Sequence, residues 1–325
     1  MEVDANQETK SEVFGGECEF TVGDFIGSGT FGMVYKGEIT VRNDYGGQGD
    51  NVAVKIVDCG DKDEVSVEMR QRFQTLVRLK HENLAVYHKI IIKTIQGKTS
   101  IELVMDYYTG GDLGTKLSNL KENKILLEKP IALRYAEEIT KGISFLHHCH
   151  IIHGDLKPAN ILFKQANNGL ESLVIGDLDD LVKLHTSITT SFDLSNLLNI
   201  CGTLRYMSPE MLQKYMLRPE RAPEPGRKTD IWSLGCVIHD LLDRVIGNEE
   251  RWLQREEEKM EAGDKIGERP YVIALGDGFL PCVSELAPLD LMEIVCRCLN
   301  PLPAARSSAL EVLCLLQDAK ETLAV

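Results

Sequence analysis

HGDLKPAN, at residues 153–160, places an acid, a cation and an amide within one short stretch of chain. Asp155 can accept the proton of an attacking hydroxyl, and Lys157 can neutralise a phosphate during its transfer. Asn160 offers Mg²⁺ an uncharged oxygen, so the site is not overloaded with negative charge. Asp155 and Lys157 are therefore candidate catalytic residues and Asn160 is a candidate metal ligand, although turns also collect these residue types.

Downstream, LVIGDLDD at residues 173–180 strengthens the case for chemistry. It predicts an apolar strand that ends in Asp177 and pairs with the chain after Asn160 as a β-hairpin. Paired strands bring their ends together, so we expect Asn160 and Asp177 to converge as Mg²⁺ ligands. The upstream cluster HHCH at 147–150 has no completing carboxylates or cysteines, so we favour packing over metal binding there.

An upstream segment, GSGTFGMV at residues 27–34, has the spacing G-x-G-x-x-G-x-V. A dinucleotide-binding fold also uses three glycines, but there the motif leads into a helix, whereas VYKGEITV predicts a strand. A glycine loop between two strands lets backbone N–H groups approach phosphate oxygens, and a plain glycine-rich hairpin is the alternative. The predicted phosphate-binding residues are Gly27, Ser28, Gly29, Thr30, Phe31 and Gly32.

The next strand, VAVK at residues 52–55, favours nucleotide binding because Lys55 stands in an apolar run. Lys55 alternates to the face opposite Val54, where it either faces solvent or reaches the α- and β-phosphates. We favour the second interpretation because the glycine loop precedes it. Val34 and Ala53 then line the adenine.

Hydrophobic periodicity divides the chain into two parts. From residue 18, short alternating apolar segments predict an antiparallel sheet, with one helical stripe inserted at Val65, Met69, Phe73 and Leu76. Helical periodicity dominates the rest of the chain, as at 131–148, 230–246, 289–299 and 308–323. The prediction is an α+β bilobal fold with a disordered tail (1–17), a small β lobe with one main helix (18–106), a hinge (106–111) and a larger helical lobe (112–325).

Composition excludes several classes of function. The 325 residues carry a formal net charge of −14, so the chain repels polyanions, and basic partners are favoured over nucleic acid. No apolar run approaches membrane-spanning length and the start of the chain does not resemble a signal peptide, so no membrane partner is expected. Nine scattered cysteines suggest reduced and mostly buried thiols of the cytoplasm or the nucleus.

In this order and spacing, the segments resemble the eukaryotic protein kinase family over residues 20–320. Lys157 and the Gly-Thr at 202–203 resemble its serine/threonine branch. Small-molecule phosphotransferases share HGDxxxxN, but they lack counterparts of GTLRYMSPEM and KTDIWSLG. The segments that carry the resemblance are GSGTFGMV (27–34), VAVK (52–55), LVMDYYTGGDL (103–113), HGDLKPAN (153–160), GDLD (176–179), GTLRYMSPEM (202–211), KTDIWSLG (228–235) and Arg306.

The resemblance implies ATP and Mg²⁺ as cofactors and a layout for their site. Met105 corresponds to the gatekeeper residue, and the hinge that follows, with Asp106 and Tyr108, corresponds to the adenine-binding segment. Asp112 would contact ribose or a basic substrate residue. Leu162 would form the floor beneath the adenine.

The resemblance also implies two structural contacts and one departure. Glu210 would pair with Arg306, and Asp230 would brace the catalytic loop. Gly154 stands where the family usually has an arginine that anchors a phosphorylated activation loop through paired N–H donors. We infer regulation that does not use this latch.

A second departure concerns the inserted helix. Counting back from His81-Glu82-Asn83, the position of the family's glutamate is Arg72, and Leu76 supports that register by falling at an apolar position of the family. Glu68 lies one turn earlier, where it either reaches Lys55 after a helix shift or pairs with Arg72. An arginine facing Lys55 would be repulsive.

The metal turn is the third departure, because Leu178 and Asp179 replace the phenylalanine and glycine of the family. Leu178 can fill the apolar position, whereas Asp179 stiffens the turn. A fourth feature is a serine- and threonine-rich segment at 186–195, which we interpret as a polar loop.

The prediction is an ATP-dependent serine/threonine kinase that phosphorylates protein hydroxyls in signalling. The alternative is a pseudokinase that acts as a scaffold or allosteric partner, which Arg72 and Asp179 favour.

Overall fold

The fold is described from a computed structural model. The residues that the structure describes are 9–29, 32–42, 51–60, 65–165, 171–178, 205–212, 226–242 and 289–323. They divide into two compact units, one that runs through Tyr108 and one that begins at Thr109. The division falls within 106–111, the segment predicted as a hinge. Each unit is described by itself.

The first unit is an antiparallel sheet with one helix. Its pairing order is β1-β5-β6-β4-β3-β2. The elements are β1 (Thr9–Gly15), β2 (Cys18–Gly29), β3 (Gly32–Arg42), β4 (Asn51–Asp58), α1 (Val67–Leu76), β5 (Tyr87–Ile95) and β6 (Lys98–Asp106).

The sheet is strongly curled. Strands β1 and β2 stand at opposite ends of the pairing order, yet only Gly16 and Glu17 connect them. A connection this short spans at most about 10 Å, so the two edges must approach each other. One face of the sheet holds an apolar cluster, which explains the alternation of the strands: Cys18, Ile39, Val52, Val54 and Val104.

Helix α1 forms where the apolar stripe predicted it. Ser66 caps its first turn by accepting a hydrogen bond from the backbone N–H of Met69 at 3.2 Å. The stripe is buried as predicted, with Val65, Met69, Phe73 and Leu76 each less than 9% exposed. The prediction of one main helix beside the sheet is therefore confirmed.

The predicted disordered tail is wrong for its second half. Residues 9–15 form β1, which pairs antiparallel with β5 from Thr9↔Ile95 to Gly15↔Lys89. A short polar strand is unstable alone, but seven residues of ladder and an aromatic contact from Phe14 to Phe73 stabilise it. Residues 1–8 lie outside the described part of the chain.

The second unit is mainly helical. Its elements are α2 (Leu113–Glu122), α3 (Lys129–His148), β7 (Ile161–Gln165), β8 (Glu171–Ile175), α4 (Pro209–Leu212), α5 (Arg227–Leu242), α6 (Leu289–Cys298) and α7 (Ala309–Leu323). Strands β7 and β8 pair antiparallel as a separate hairpin. Helix α3 packs against α5, α7 and β8 and so forms the scaffold of the unit.

Helix α5 is buried along most of its length. Ile231, Trp232, Leu234 and Val237 have no accessible surface. A helix buried on every side belongs to the centre of a core. Asp230 is 1% exposed in the first turn of α5, and a buried carboxylate must be hydrogen-bonded.

Two further predictions concern cysteines and membranes. Cys18, Cys236 and Cys298 are buried free thiols, whereas Cys296 and Cys314 are exposed because they lie on the outer faces of α6 and α7. The expectation of mostly buried thiols is wrong for that pair. None of the helices described here is long and apolar enough to cross a bilayer.

Candidate active site

The loop that precedes β7 brings the three predicted residues of HGDLKPAN together. Lys157 Nζ donates to Asp155 Oδ2 at 2.7 Å. Asn160 Nδ2 donates to the Asp155 carbonyl at 2.7 Å and lies 3.4 Å from Asp155 Oδ2. The Asp155 carboxylate, only 9% exposed, is thus held next to a cation and an amide.

Asp230 fixes the backbone of this loop. Its carboxylate accepts hydrogen bonds from the N–H groups of His153 and Gly154, each at 2.9 Å. It also pairs with His147 Nε2 at 2.8 Å. Asp230 therefore braces the catalytic loop as predicted, and one member of HHCH, His147, has a structural partner instead of a metal.

His153 is packed inside the loop. It is 4% exposed, and its Nε2 lies 3.0 Å from the carbonyl of Gly176. The backbone N–H of Asp155 donates to His153 Nδ1 at 3.2 Å. This imidazole consequently ties the acid to the end of β8.

The predicted metal residues lie at the adjoining ends of β7 and β8. The N–H of Gly176, immediately before Asp177, donates to the carbonyl of Asn160 at 2.8 Å. Asp177 has a positive φ of 53°, a left-handed conformation that aspartate tolerates better than most residues and that often marks functional turns. Leu178 is 4% exposed and fills an apolar position, whereas Asp179 lies outside the described residues.

The residues present fit a hard divalent cation. Asn160 Nδ2 donates to the Asp155 carbonyl, so Oδ1 is the atom of this amide that could serve as a metal ligand. An amide oxygen and the Asp177 carboxylate are donors of the kind that Mg²⁺ prefers. Asn160 and Asp177 would hold the ion together with phosphate oxygens.

Gly154 has a conformational reason to be glycine. Its φ is +81°, and a Cβ built there would meet no atom within 4 Å. Space is therefore open for a side chain, but the left-handed backbone disfavours one. Glycine adopts this left-handed backbone without strain, whereas the arginine that the family usually has here would be strained.

Asp112 and Leu162 are neighbours in the second unit. They form an isolated antiparallel bridge. Asp112 also caps α2, because its Oδ1 accepts from the N–H of Thr115 at 2.8 Å and its Oδ2 accepts from the Thr115 hydroxyl at 2.7 Å. The predicted ribose contact and the predicted adenine floor are thus brought together.

In the first unit, four predicted nucleotide residues share one face of the sheet. Val34 pairs with Lys55 across β3 and β4, and Ala53 pairs with Met105 across β4 and β6. Paired residues and residues two apart on a strand point to the same side. Lys55 is 7% exposed, so the solvent-facing alternative is wrong for this lysine.

The glycine segment is the turn of the β2–β3 hairpin. Gly27 pairs with Val34, Ser28 with Met33 and Gly29 with Gly32, so strands flank the loop on both sides as predicted. No side chain fits at Gly32, because a Cβ there would lie 2.4 Å from the carbonyl oxygen of Ile56. The space beside Gly27 is open to an approaching group. Thr30 and Phe31 lie outside the described residues.

The predicted hinge residues Asp106 and Tyr108 form a network with β5. Asp106 Oδ1 lies 2.6 Å from His88 Nε2, and the Tyr108 hydroxyl donates to Asp106 Oδ2 at 3.4 Å. The N–H of Val86 donates to the Tyr108 oxygen at 3.2 Å. Burial, together with the Asp106 carboxylate, raises the pKa of Tyr108 well above its usual range, so the phenol stays neutral.

Helix α1 carries Arg72, the residue at which the sequence departs from the family pattern. Arg72 is half-buried and Glu68, one turn earlier, is exposed. Leu76 is 2% exposed, in agreement with the register that puts Arg72 at the family's glutamate position. The sequence did not indicate that β1 supplies neighbours to this helix.

Glu210 and Arg306 are joined as the resemblance implied. The guanidinium and the carboxylate make two hydrogen bonds, at 2.7 and 2.8 Å. The serine- and threonine-rich segment at 186–195 lies outside the described residues.

Comparison with known proteins agrees with this geometry. The sequence model of the protein kinase domain matches residues 20–315. CBL-interacting serine/threonine-protein kinase 3 of Arabidopsis thaliana is 28% identical over 90% of this chain and 57% of its own length. Serine/threonine-protein kinase VIK of the same plant is 27% identical over 96% of this chain and 63% of its own length. Human serine/threonine-protein kinase ULK1 is 28% identical over 70% of this chain and 19% of its own.

The chain thus spans about half the length of the curated relatives it matches. The match to the family covers nearly all of the sheet unit and the helical unit. The predicted α+β class, with a small antiparallel sheet unit and a larger helical unit, is confirmed by this match and by the observed elements. The chain belongs to the protein kinase domain family.

Proposed function

We propose that this protein is an active serine/threonine kinase that transfers the γ-phosphoryl group of ATP to a protein hydroxyl. One observation supports this most strongly. The Asp155 carboxylate, the Lys157 ammonium and the Asn160 amide converge within hydrogen-bonding distance in a loop braced by Asp230. A carboxylate held beside an ammonium group and an amide in this way is placed to accept the proton of a substrate hydroxyl.

The residues have distinct roles in this proposal. Asp155 orients the substrate hydroxyl and takes its proton as the oxygen attacks phosphorus. Lys157, 2.7 Å from Asp155, balances the negative charge on the transferring phosphate. Lys55, on the face shared with Val34 and Ala53, positions the α- and β-phosphates.

Mg²⁺ supplies charge neutralisation on the phosphate oxygens when it is bound. Asn160 and Asp177 would hold it, since both stand at the adjoining ends of β7 and β8. The net charge of −14 supports a basic protein as substrate.

A scaffold without catalysis is the second candidate, and Arg72 favours it. Arg72 is half-buried on α1 at the position of the family's glutamate, so a standard partner for Lys55 is replaced by a cation. The retained Asp155, Lys157, Asn160 and Asp177 favour the enzyme, because a scaffold has no use for the whole set.

Phosphoryl transfer separates the two candidates. Purified protein is incubated with radiolabelled ATP, Mg²⁺ and a mixture of basic proteins, beside Asp155→Asn and a surface control, Asp318→Asn on α7. Removing the general base is expected to lower transfer by about 10²-fold or more. The Asp318→Asn control is expected to match the unaltered protein.

Thermal unfolding with and without ATP and Mg²⁺ provides the second readout. A ligand that binds the folded state raises the melting temperature. Stabilisation by ATP without any transfer above the Asp155→Asn background would reject the enzyme and support the scaffold. Lys55→Met is expected to abolish the ATP-induced stabilisation.

A further inference from the structure

Strand β1 contacts α1 through two side chains. Glu12 Oε2 accepts from Arg70 Nε at 2.7 Å. The rings of Phe14 and Phe73 lie 5.8 Å apart at an interplanar angle of 58°. Backbone positions of β1 also lie within 8 Å of this helix.

The two contacts anchor different turns of the helix. Arg70 stands in the first turn, where its Nη1 also donates to the carbonyl of Val65 at 2.5 Å. Phe73 stands one turn later and is 1% exposed. An ion pair at one end and an aromatic contact further along restrict both the position and the rotation of α1.

The strand register places these contacts on the nucleotide face of the sheet. Phe14 pairs with Ile90 on β5, Ile90 pairs with Leu103 on β6, and Leu103 pairs with Lys55 on β4. Residues that oppose each other in a ladder point to the same side, so Phe14 and Lys55 share one face. Helix α1, held by Phe14, therefore lies over the face that carries Lys55.

The position of α1 determines where its charged side chains stand. Arg72 lies between Arg70 and Phe73, the two residues held by β1, and Glu68 is one helical turn from Arg72. Because residues four apart lie on the same face of a helix, a rotation of α1 about its axis would carry Arg72 and Glu68 together towards or away from the sheet face. Fixing the position and rotation of α1 thus sets how this pair of charges stands relative to the sheet face that carries Lys55.

We propose that β1 is a strap for α1, and that Glu12 and Phe14 are positioning residues that set how the first unit uses ATP. The inference rests on the proposed kinase function, because it assigns α1 a role in ATP use. The Glu12 and Arg70 side chains are 48% and 32% exposed, and such a pair contributes little to stability. The ion pair between Glu12 and Arg70 affects function because it orients α1.

The test uses the full chain with four variants on β1 and α1. Glu12→Arg opposes Arg70, Phe14→Ala removes the ring, and Glu12→Arg with Arg70→Glu restores an ion pair of reversed polarity. Val13→Thr is the matched control, because Val13 is 54% exposed and alternates to the opposite face of β1. Each protein is examined by hydrogen exchange of residues 67–76, by ATP affinity and by steady-state kinetics.

We expect faster exchange in 67–76 and weaker ATP binding for Glu12→Arg and Phe14→Ala. Couplings of this kind correspond to about a 2- to 30-fold loss of kcat/KM, carried largely by the KM for ATP. The reversed pair is expected to recover much of both losses, and Val13→Thr to behave like the unaltered protein. A merely structural role would lower the folded fraction but leave the KM for ATP of the folded protein unchanged. The reversed pair would then have no effect on that KM to rescue.

Two outcomes would overturn the strap. One is exchange of 67–76 that does not change in Glu12→Arg and Phe14→Ala, and the other is changed exchange with ATP affinity equal to that of Val13→Thr. A failure of the kinase function looks different, because then the unaltered protein shows no turnover while exchange and ATP affinity still report on β1.

Discussion

Arg306 and Glu210 form a buried, two-fold hydrogen-bonded ion pair. Nη1 donates to Oε1 at 2.7 Å and Nη2 donates to Oε2 at 2.8 Å, with the side chains 0% and 7% exposed. The guanidinium also donates to the carbonyls of Asn300 and Lys228 and stacks 5.0 Å from the ring centre of Trp232. One arginine thus joins α4, the start of α5 and the turn after α6.

Truncating this arginine is expected to destabilise the second unit strongly. Arg306→Ala leaves the Glu210 carboxylate buried without its counter-ion, and breaking a buried pair in this way costs about 3–5 kcal/mol. Arg297→Ala is the matched control, because its pair with Glu293 on α6 is half exposed and contributes at most about 1 kcal/mol. Urea unfolding measures both, and equal losses would contradict the structural role of the buried pair.

The same pair predicts an acid limit to stability. Burial pushes the pKa of Glu210 upward, but hydrogen bonds from Arg306 outweigh it and leave the pKa below its ordinary value of 4.5. A carboxyl with a lowered folded-state pKa stabilises the protein above the unfolded-state pKa and loses that effect as pH falls through the folded-state pKa.

The free energy of unfolding should therefore exceed that of Glu210→Gln by a constant amount above about pH 5. The difference should shrink below pH 4.5, the ordinary value of this carboxyl. Denaturant titrations at several pH values check this. A difference that grows towards acid would show that the sign is wrong.

Gly154→Ala is expected to destabilise the catalytic loop without any steric clash. Its φ of +81° is unfavourable for a side chain, and no atom lies within 4 Å of the added methyl group. The left-handed backbone costs about 1–2 kcal/mol for a non-glycine residue. Gly16→Ala is the control, since its surroundings are equally open and its φ is not positive. Thermal unfolding that ranks the two variants equally would argue against backbone strain at 154.

Asp230→Asn should weaken the brace of the catalytic loop. The substituted amide has one acceptor oxygen where the carboxylate has two, so at least one of the backbone N–H groups of His153 and Gly154 loses its partner. An unsatisfied buried donor costs about 1–3 kcal/mol. We expect lower stability by urea titration and lower phosphoryl transfer, with Asp318→Asn unaffected on both counts. Unchanged transfer in a fully folded variant would remove Asp230 from the support of Asp155.

The sequence predicted the parts of the fold and site whose determinants are local. The stripe on α1 and the apolar strand around Lys55 follow from side-chain periodicity alone, and the loop at 153–160 carries its acid, cation and amide within a few residues. The face shared by Val34, Ala53, Lys55 and Met105 follows from strand alternation once the register is known.

What could not be predicted depends on partners distant in sequence. Strand β1 has a weak local pattern, and only its ladder with β5 makes it a strand. The role of His147 depends on Asp230, which lies 83 residues further along the chain. A histidine at the end of a helix gives no indication that a buried carboxylate from another helix will receive it.

The ladder between β1 and β5 also bears on how the chain is made. Thr9 leaves the ribosome long before Ile95, its partner, has been synthesised. At about 5–20 residues per second, β1 must wait several seconds with its backbone groups unpaired. Lys10 and Glu12 place opposite charges on this waiting segment, and charged side chains discourage an open strand from joining another nascent chain. Among the described strands β1 is therefore made first, yet it can dock only after β5 has emerged.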